Sequence, residues 1–373
     1  MTQTFFILGG YGGTGRILCR RLLQHTDVSL IVGGRSKEKA EVFAQEIKRE
    51  FPPERIRATY AEASQYDSLV LAFQGVSMII VASTTPQYAG LVAKAALAVG
   101  ADYLDYHFQQ DVVETLKGLE GEIQKAGRCF ITQAGFHPGL PAAFVRYAGK
   151  YLNPYQKAFI GMAMGVSPNG KIEKAESLYE IVDVLQDPRS EIFKNGQWKK
   201  GDYKDTIMMD LGPFGRQRCY PMEMQEIFPL PDMYKALTDV GVYVAGFNWF
   251  LDYLVFPIGM LLGKIKKGCG RNFLAQLMAW GLNHVRGYGE GVAFAIHAVG
   301  EKNGRPLSLH VLATHHDGYD FTAIPVVACL RQYLEGSIKK PGVWMMGHLV
   351  DPEKLFVDME MMGVKFIFRH PPS

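Results

Sequence analysis

The chain has 373 residues, 48% hydrophobic and 21% charged. That is ordinary for a globular protein, and long enough for two domains, or one large domain with an insertion, each with its own core. Its 40 basic and 37 acidic residues leave a net charge of +3, which provides no electrostatic footprint for nucleic acid. Five cysteines (Cys19, Cys129, Cys219, Cys269 and Cys329) are scattered, odd in number and without a CxxC pair. That pattern argues against a disulfide framework or structural zinc and for a reducing, cytoplasmic compartment. The opening apolar run Thr4-Phe5-Phe6-Ile7-Leu8 stops at glycines after five residues, unlike the longer apolar region of a secretory signal.

The first third alternates short apolar or β-branched runs with amphipathic stretches. Thr4–Leu8 reads as a strand, followed by a helix from Gly13 to about Gln24 with Ile17, Leu18, Leu22 and Leu23 on one face. Ser29–Val32 is a second strand, Lys37–Glu50 a helix, and Ile56–Tyr60 a third strand. Ser64 and Asp67 have capping-box spacing, opening a helix to about Phe73. Ser77–Ala82 is a near-continuous apolar run, expected of a strand buried on both faces. A helix at Tyr88–Val99, a strand at Asp102–Leu104, a helix over Val112–Ala126 and a strand at Cys129–Thr132 follow. Six strands alternating with helices predict an α/β, Rossmann-type doubly wound parallel sheet.

Past residue 150 the rhythm changes. Tyr155–Val166 reads as a strand and Ala175–Leu185 as a helix, and residues 188–231 read as loops with short strands. Val292–Val299 and Leu307–Thr314 flank Glu301-Lys302-Asn303-Gly304, and Asn-Gly is a hairpin turn signal. Phe321–Glu335 is a helix closed by Gly336. The expected organisation is a Rossmann domain over 1–150, then an α+β substrate and dimerisation domain with an antiparallel sheet over 151–320. The 321–373 segment is expected to pack back near the first domain.

Gly9-Gly10-Tyr11-Gly12-Gly13-Thr14-Gly15-Arg16 contains GxGxxG as Gly10, Gly12 and Gly15, between a strand and a helix. Glycines there permit a tight turn and close approach of a pyrophosphate, and the helix N-terminus offers free N–H groups and the positive dipole end. Tyr11, Gly13 and Thr14 complete the loop. An NAD site usually carries Asp or Glu at the end of the second strand; this chain has Gly33-Gly34-Arg35-Ser36-Lys37 instead. Arg35, Ser36 and Lys37 suit a 2′-phosphate, so the expected cofactor is NADP. Ser36 as a simple helix cap is compatible with that role. Ser83, Thr84, Thr85 and Pro86 follow the fourth strand and either line the nicotinamide half or cap the next helix.

These residues resemble a known family. The glycine loop, Gly34-Arg35-Ser36, Ala101-Asp102-Tyr103-Leu104-Asp105 and Gly135-Phe136-His137-Pro138-Gly139-Leu140-Pro141 are similar to the NADP-binding domain of the saccharopine dehydrogenase family. The hairpin at Gly291–Thr314, Pro341-Gly342-Val343 and the closing Met362-Gly363-Val364-Lys365-Phe366 stretch resemble the family's usual ending. The resemblance is good over the first third and poor over residues 155–285. It implies a Rossmann domain joined to an α+β domain, a cleft active site between them, and nicotinamide-dependent reduction or oxidation of a small-molecule substrate.

Asp105, Tyr106 and His107 follow the fifth strand and His137 follows the sixth. Asp105, Tyr106 and His137 are candidate catalytic residues, set against structural roles in turns. Imine reduction by hydride transfer needs little beyond positioning and electrostatics. Arg189, Arg216 and Arg218 are candidate clamps for substrate carboxylates, or ordinary surface arginines. His315-His316-Asp317 is metal-like in composition, but neighbouring strand residues point to opposite faces, so no metal site is expected.

Val242–Gly263 is apolar and aromatic, interrupted by Asn248, Asp252 and Pro257 and followed by Lys264, Lys266, Lys267 and Arg271. It reads as a pocket wall, an oligomer interface, or a peripheral membrane patch across 242–271 with a basic flank. A homodimer is the expectation from symmetry. The leading functional expectation is an NADP(H)-dependent oxidoreductase acting on a C=N or C=C bond. A reductase of membrane-associated lipid intermediates and a non-catalytic NADP-binding sensor or scaffold are the alternatives.

Overall fold

The structure is a computed structural model that describes residues 3–165 and 176–369. In chain order the first elements are β1 (Thr4–Leu8), α1 (Gly13–His25), β2 (Ser29–Gly34), α2 (Lys37–Ile47), β3 (Ile56–Tyr60), α3 (Tyr66–Ala72), β4 (Met78–Val81) and α4 (Ala89–Ala98). Then come β5 (Asp102–Asp105), α5 (Asp111–Lys117), α6 (Glu120–Lys125), β6 (Cys129–Thr132) and α7 (Leu140–Gly149). The middle holds β7 (Tyr155–Gly165), α8 (Glu176–Gln186), β8 (Glu191–Lys194), β9 (Gln197–Lys200), β10 (Ile207–Asp210), β11 (Arg216–Met222), α9 (Leu230–Met233) and β12 (Asp239–Ala245). The last part holds α10 (Phe256–Ile265), α11 (Arg271–His284), β13 (Gly291–Lys302), β14 (Arg305–His315), α12 (Gly318–Leu334), β15 (Gly342–Met345), α13 (Met346–Leu349), α14 (Pro352–Met361) and β16 (Lys365–Arg369).

The chain divides into two compact units. One comprises residues up to Ala143 together with Tyr319–Met362, and the other comprises Phe144–Gly318 together with the chain from Gly363.

The first unit is built on a seven-stranded sheet of order β15-β6-β5-β4-β1-β2-β3, with every pairing parallel. Strand order reverses between β1 and β4, the place where doubly wound sheets bind ligands. The apolar run Met78-Ile79-Ile80-Val81 is buried throughout, as a central strand covered by helices on both faces should be. Helix α1 turns Leu18, Cys19, Leu22 and Leu23 into the core at helical spacing. The seventh strand, β15, is not among the six expected from sequence. Gly342–Met345 is only four residues long, and its parallel partner Cys129–Thr132 lies more than two hundred residues earlier, so no local signal announces it. The remote segment is fastened by polar contacts as well as packing. Arg21 makes a two-armed ion pair with Asp320, and the buried Tyr333 hydroxyl donates to Asp102.

Two local expectations are corrected. Ser64 and Asp67 form no capping box: α3 starts at Tyr66 with Gln65 as an N-cap that makes no side-chain cap bond, and the Ser64 hydroxyl bonds Glu62 instead. The single helix expected over Val112–Ala126 is two, because α5 closes at Gly118, whose N–H donates to Glu114 O, and α6 restarts after Leu119.

The second unit carries a mixed, mostly antiparallel sheet of order β10-β11-β12-β7-β13-β14-β16, with β8 bridging β12 and β9. Only β12 and β7 run parallel in it among the described residues. The β13–β14 hairpin turns on Asn303 (φ 54°) and Gly304 (φ 74°), the double positive φ of a type I′ turn. Helices α8, α10 and α11 pack around Leu178, Val182, Leu251, Val255, Leu274 and Met278. The expected strand end at Val166 and helix start at Ala175 lie outside the described residues.

Candidate functional site

The glycine loop sits at the carboxyl end of β1, beside the reversal of strand order. Its shape is dictated by close backbone approach. A Cβ on Gly15 would lie 2.5 Å from Gly9 O and 2.8 Å from Gly10 Cα, backbone atoms that cannot step aside. Gly9 has φ +83°, and a Cβ there would strike Ser83 at 2.9 Å. The loop is thus folded tightly against the end of β4. Helix α1 opens at Gly12 with no side-chain cap and no acidic residue in its first turn. Its first N–H groups therefore remain available for an anion at the positive end of the helix dipole. Arg16 does not serve that anion: its Nε donates to Tyr11 O (3.0 Å) and its guanidinium to Glu46 (2.9 Å), tying the loop to α2.

At the end of β2 the Tyr11 ring lies where a side chain on Gly34 would be. A Cβ at Gly34 would come within 2.5 Å of the Tyr11 hydroxyl oxygen, and that oxygen accepts from Ser36 N at 3.1 Å. An acidic side chain that grips ribose hydroxyls therefore has no room on Gly34. Sequence reading placed Tyr11 in the loop but not in this role, because the contact spans residues far apart in the chain. Arg35 and Lys37 are exposed. Lys37 has Glu41 at 3.6 Å. Ser36 is the N-cap of α2, its Oγ accepting from Lys39 N at 3.3 Å, which leaves its hydroxyl hydrogen to donate. Ser83 and Thr85 share a 2.7 Å hydroxyl–hydroxyl bond, Thr84 is exposed, and Pro86 starts a single 3-10 turn. The acid-free, cation-bearing end of β2 and the uncapped helix fit a dinucleotide with a 2′-phosphate.

Residues 5–131 match the family model described as the saccharopine dehydrogenase NADP binding domain. This part of the chain is similar to the NADP-binding domain of the saccharopine dehydrogenase family. Two curated relatives, the carboxynorspermidine synthases of Vibrio cholerae and Vibrio alginolyticus, are each 22% identical, over 95% of this chain and 94% of the relative. Among solved structures, apo saccharopine dehydrogenase (L-Glu forming) from Saccharomyces cerevisiae superposes with a TM-score of 0.70 at 13% identity, covering 98% of this chain and 100% of that one. That likeness establishes the fold.

In the NADP-binding domain a second group of polar residues gathers at the carboxyl ends of β5 and β6. Asp105 is fully buried; its Oδ1 accepts from Thr132 Oγ1 (3.0 Å) and His107 N (3.2 Å), while Oδ2 makes no well-formed hydrogen bond among the described residues and interacts with the buried Tyr103 hydroxyl. The Tyr106 hydroxyl and the Nε2 atoms of His107 and His137 are likewise enclosed without hydrogen-bond partners among the described residues. Unpaired buried polar atoms are costly, and clustered ones mark places where a ligand or water completes the bonding. Burial lowers the His137 pKa to about 3 and pushes the Tyr106 hydroxyl far above its ordinary value, so at neutral pH one is an uncharged imidazole and the other a protonated phenol. Burial also lowers the His107 pKa, with the Asp105 carboxylate opposing. His137 is flanked by the rings of Phe108 and Phe136, each 6.1 Å away. Thr132, which orients Asp105, was missed by sequence reading; it looked like the end of a strand.

The structure brings Asp105, Tyr106 and His137 to one region, and the glycine loop and Arg35–Lys37 to another, all in the first unit. Arg216 and Arg218 belong to the second unit, exposed on one face of β11, and Arg189 is exposed before β8. His315 ends β14, and past the strand the alternation that separates neighbours no longer holds: the His316 ring comes within 4.3 Å. The His315 ring is engaged with Asp317, Nδ1 lying 2.9 Å from its carbonyl and 3.1 Å from its N–H. No group of three or more His, Cys, Asp or Glu side chains among the described residues is placed to hold a metal.

Proposed function

We propose that this protein is an NADP(H)-dependent oxidoreductase that moves hydride to or from the carbon of a C=N bond. The carrying observation is the phosphate cradle: a backbone loop that only glycine can build, an uncapped α1, and Tyr11 filling the space where an acid would select NAD. Gly10, Tyr11, Gly12, Gly13, Thr14 and Gly15 hold the pyrophosphate; Arg35, Ser36 and Lys37 hold the 2′-phosphate; and Ser83, Thr84, Thr85 and Pro86 border the nicotinamide half. The bound cofactor supplies the hydride. In the reductive direction hydride adds to the imine carbon and a proton to the nitrogen, leaving a secondary amine.

The residues at the ends of β5 and β6 orient the substrate rather than store charge. Tyr106 offers a hydroxyl hydrogen, His137 offers a neutral imidazole, and Asp105 holds a carboxylate oxygen ready for an N–H donor. Arg216 and Arg218 are the candidates to bind substrate carboxylates. The imine reading draws further support from the matched relatives, whose name, carboxynorspermidine synthase, denotes assembly of a carboxylated polyamine. The test is loss of NADPH absorbance with purified protein, after NADPH binding is confirmed. Mixtures of a 2-oxo acid or aldehyde with amino acids or diamines are set against enoyl thioesters. Turnover with the carbonyl–amine mixtures alone is expected. Turnover with enoyl thioesters alone overturns the C=N assignment in favour of C=C reduction.

A further inference from the structure

The apolar run Val242–Gly263 is not one element. Val242–Ala245 belongs to the buried strand β12, whereas Leu251–Val255 forms a π-helical turn that continues into α10. The two halves have opposite fates. Among the described residues 22 large apolar side chains are exposed, and eight of them fall between Trp249 and Trp280, so exposure is concentrated on this helical layer rather than scattered.

The pattern within the layer is ordered. From Tyr253 to Ile265 the exposed positions recur at helical spacing: Tyr253 (74%), Leu254, Pro257, Met260, Leu261 (61%) and Ile265 (73%). The opposite face buries Leu251, Val255 and Gly259. Helices at a water-facing surface put polar residues outward; this one puts apolar residues on both sides. The acidic residue in the segment is withdrawn from the face: Asp252 accepts from Phe247 N at 3.0 Å. Asn248 is buried and bonds Leu251 N and Gly281 O, anchoring the start of the turn. Trp280 on α11 packs edge-on against Phe250, ring centroids 5.1 Å apart, next to the exposed Trp249. Lys264 lies in the exposed stripe at the last turn of α10, followed by the exposed Lys266 and by Lys267, whose ammonium pairs with Asp187 at 2.9 Å.

We propose that this face is a docking surface for an anionic lipid bilayer, with the π turn and α10 lying in the plane of the interface. Fifteen residues make an element about 22 Å long, too short to span a hydrocarbon core of about 30 Å. No helix among the described residues is long and apolar enough to cross a membrane. An apolar stripe, Trp and Tyr at its edge, and cations at its end are the features of a helix that rests in the headgroup region. The lysines decide between a bilayer and a second copy of the chain. Lysine is depleted from the centre of protein interfaces, but a negatively charged leaflet draws it in.

The test is flotation with vesicles of equal parts phosphatidylcholine and phosphatidylserine, compared with pure phosphatidylcholine. The intact chain is expected to float with the anionic vesicles, less so at high salt, with a blue shift of tryptophan emission. Tyr253→Ser/Leu261→Gln/Ile265→Gln should lose flotation while keeping its circular dichroism spectrum and its cooperative urea unfolding, which read the fold of the unit that carries the substitutions. Lys264→Gln should weaken anionic binding about fivefold, as expected from roughly 1 kcal/mol per cation at such a surface. Leu71→Gln, an exposed leucine on α3, should change nothing. Absence of flotation overturns the proposal. If the non-floating chain is then a dimer that the triple variant splits, the face is a subunit interface instead.

Discussion

Reversing the charge at Arg35 should separate the two nicotinamide cofactors. Arg35 is exposed at the end of β2, and no ion pair holds it among the described residues, so it is free to meet a 2′-phosphate. Lys37 is shared with Glu41 at 3.6 Å and Ser36 is engaged in capping α2, which leaves Arg35 as the main uncommitted donor. Losing one charge-assisted hydrogen bond at an exposed site costs about 1.5 kcal/mol. An aspartate facing a phosphate of nearly two charges adds about 2 kcal/mol of repulsion, at about 1 kcal/mol per charge pair at 4 Å in water. Arg35→Asp should therefore weaken NADPH binding by roughly 400-fold and leave NADH nearly unchanged, since NADH lacks that phosphate. The assay is calorimetric titration of both cofactors at low salt. Equal losses for the two would refute the phosphate assignment, because the residue would then act through the shape of the loop.

Three other outcomes follow from the same geometry. Gly15→Ala should abolish measurable NADPH binding and lower unfolding stability by about 1–3 kcal/mol, because its Cβ meets Gly9 O at 2.5 Å; cofactor titration and urea unfolding read the two effects. Tyr333→Phe should cost about 1–3 kcal/mol, since among the described residues it leaves the buried Asp102 Oδ2 with only Lys339 Nζ at 3.5 Å; unaltered stability in urea would show that the hydroxyl contributes nothing. His137 carries a pH prediction. Its native pKa is lowered from 6.5 to about 3 by burial, so unfolding lets it take up a proton. Its contribution is complete above about pH 6.5 and is lost progressively as pH falls towards about 3. His137→Gln should flatten the decline in stability between pH 6.5 and 4, measured by urea unfolding across that range; an unaltered slope would mean that the ring is not enclosed as described.

Much of the first unit was legible in the sequence, for physical reasons visible at particular residues. Met78–Val81 announces a strand covered on both faces because only such a strand tolerates a continuous apolar run. Gly10, Gly12 and Gly15 announce a tight turn because they fall between a strand and a helix, and the backbone packs there too closely for a Cβ on Gly15. Asn303-Gly304 announces the β13–β14 turn because both positions need positive φ. Two readings failed because a residue pattern does not say which of several partners a side chain takes or at which residue a strand stops. Ser64 and Asp67 have the spacing of a capping box, yet the Ser64 hydroxyl finds Glu62 two residues back. Alternation was used to separate His315 from His316, but the strand ends at His315.

By itself the amino-acid order determined the alternation of strands and helices, the glycine loop and the missing acid after β2. These depend on propensity, period and steric freedom, which act over a few residues. Only the tertiary structure decided that Gly342–Met345 extends the parallel sheet beside β6, that Tyr11 occupies the space over Gly34, and that Asp105 is gripped by Thr132 while His137 is enclosed. It also decided that the run from Val242 divides into a core strand and an exposed helix. Each of these joins residues distant in sequence, and local propensity carries no record of which remote surface will cover a side chain or leave it bare.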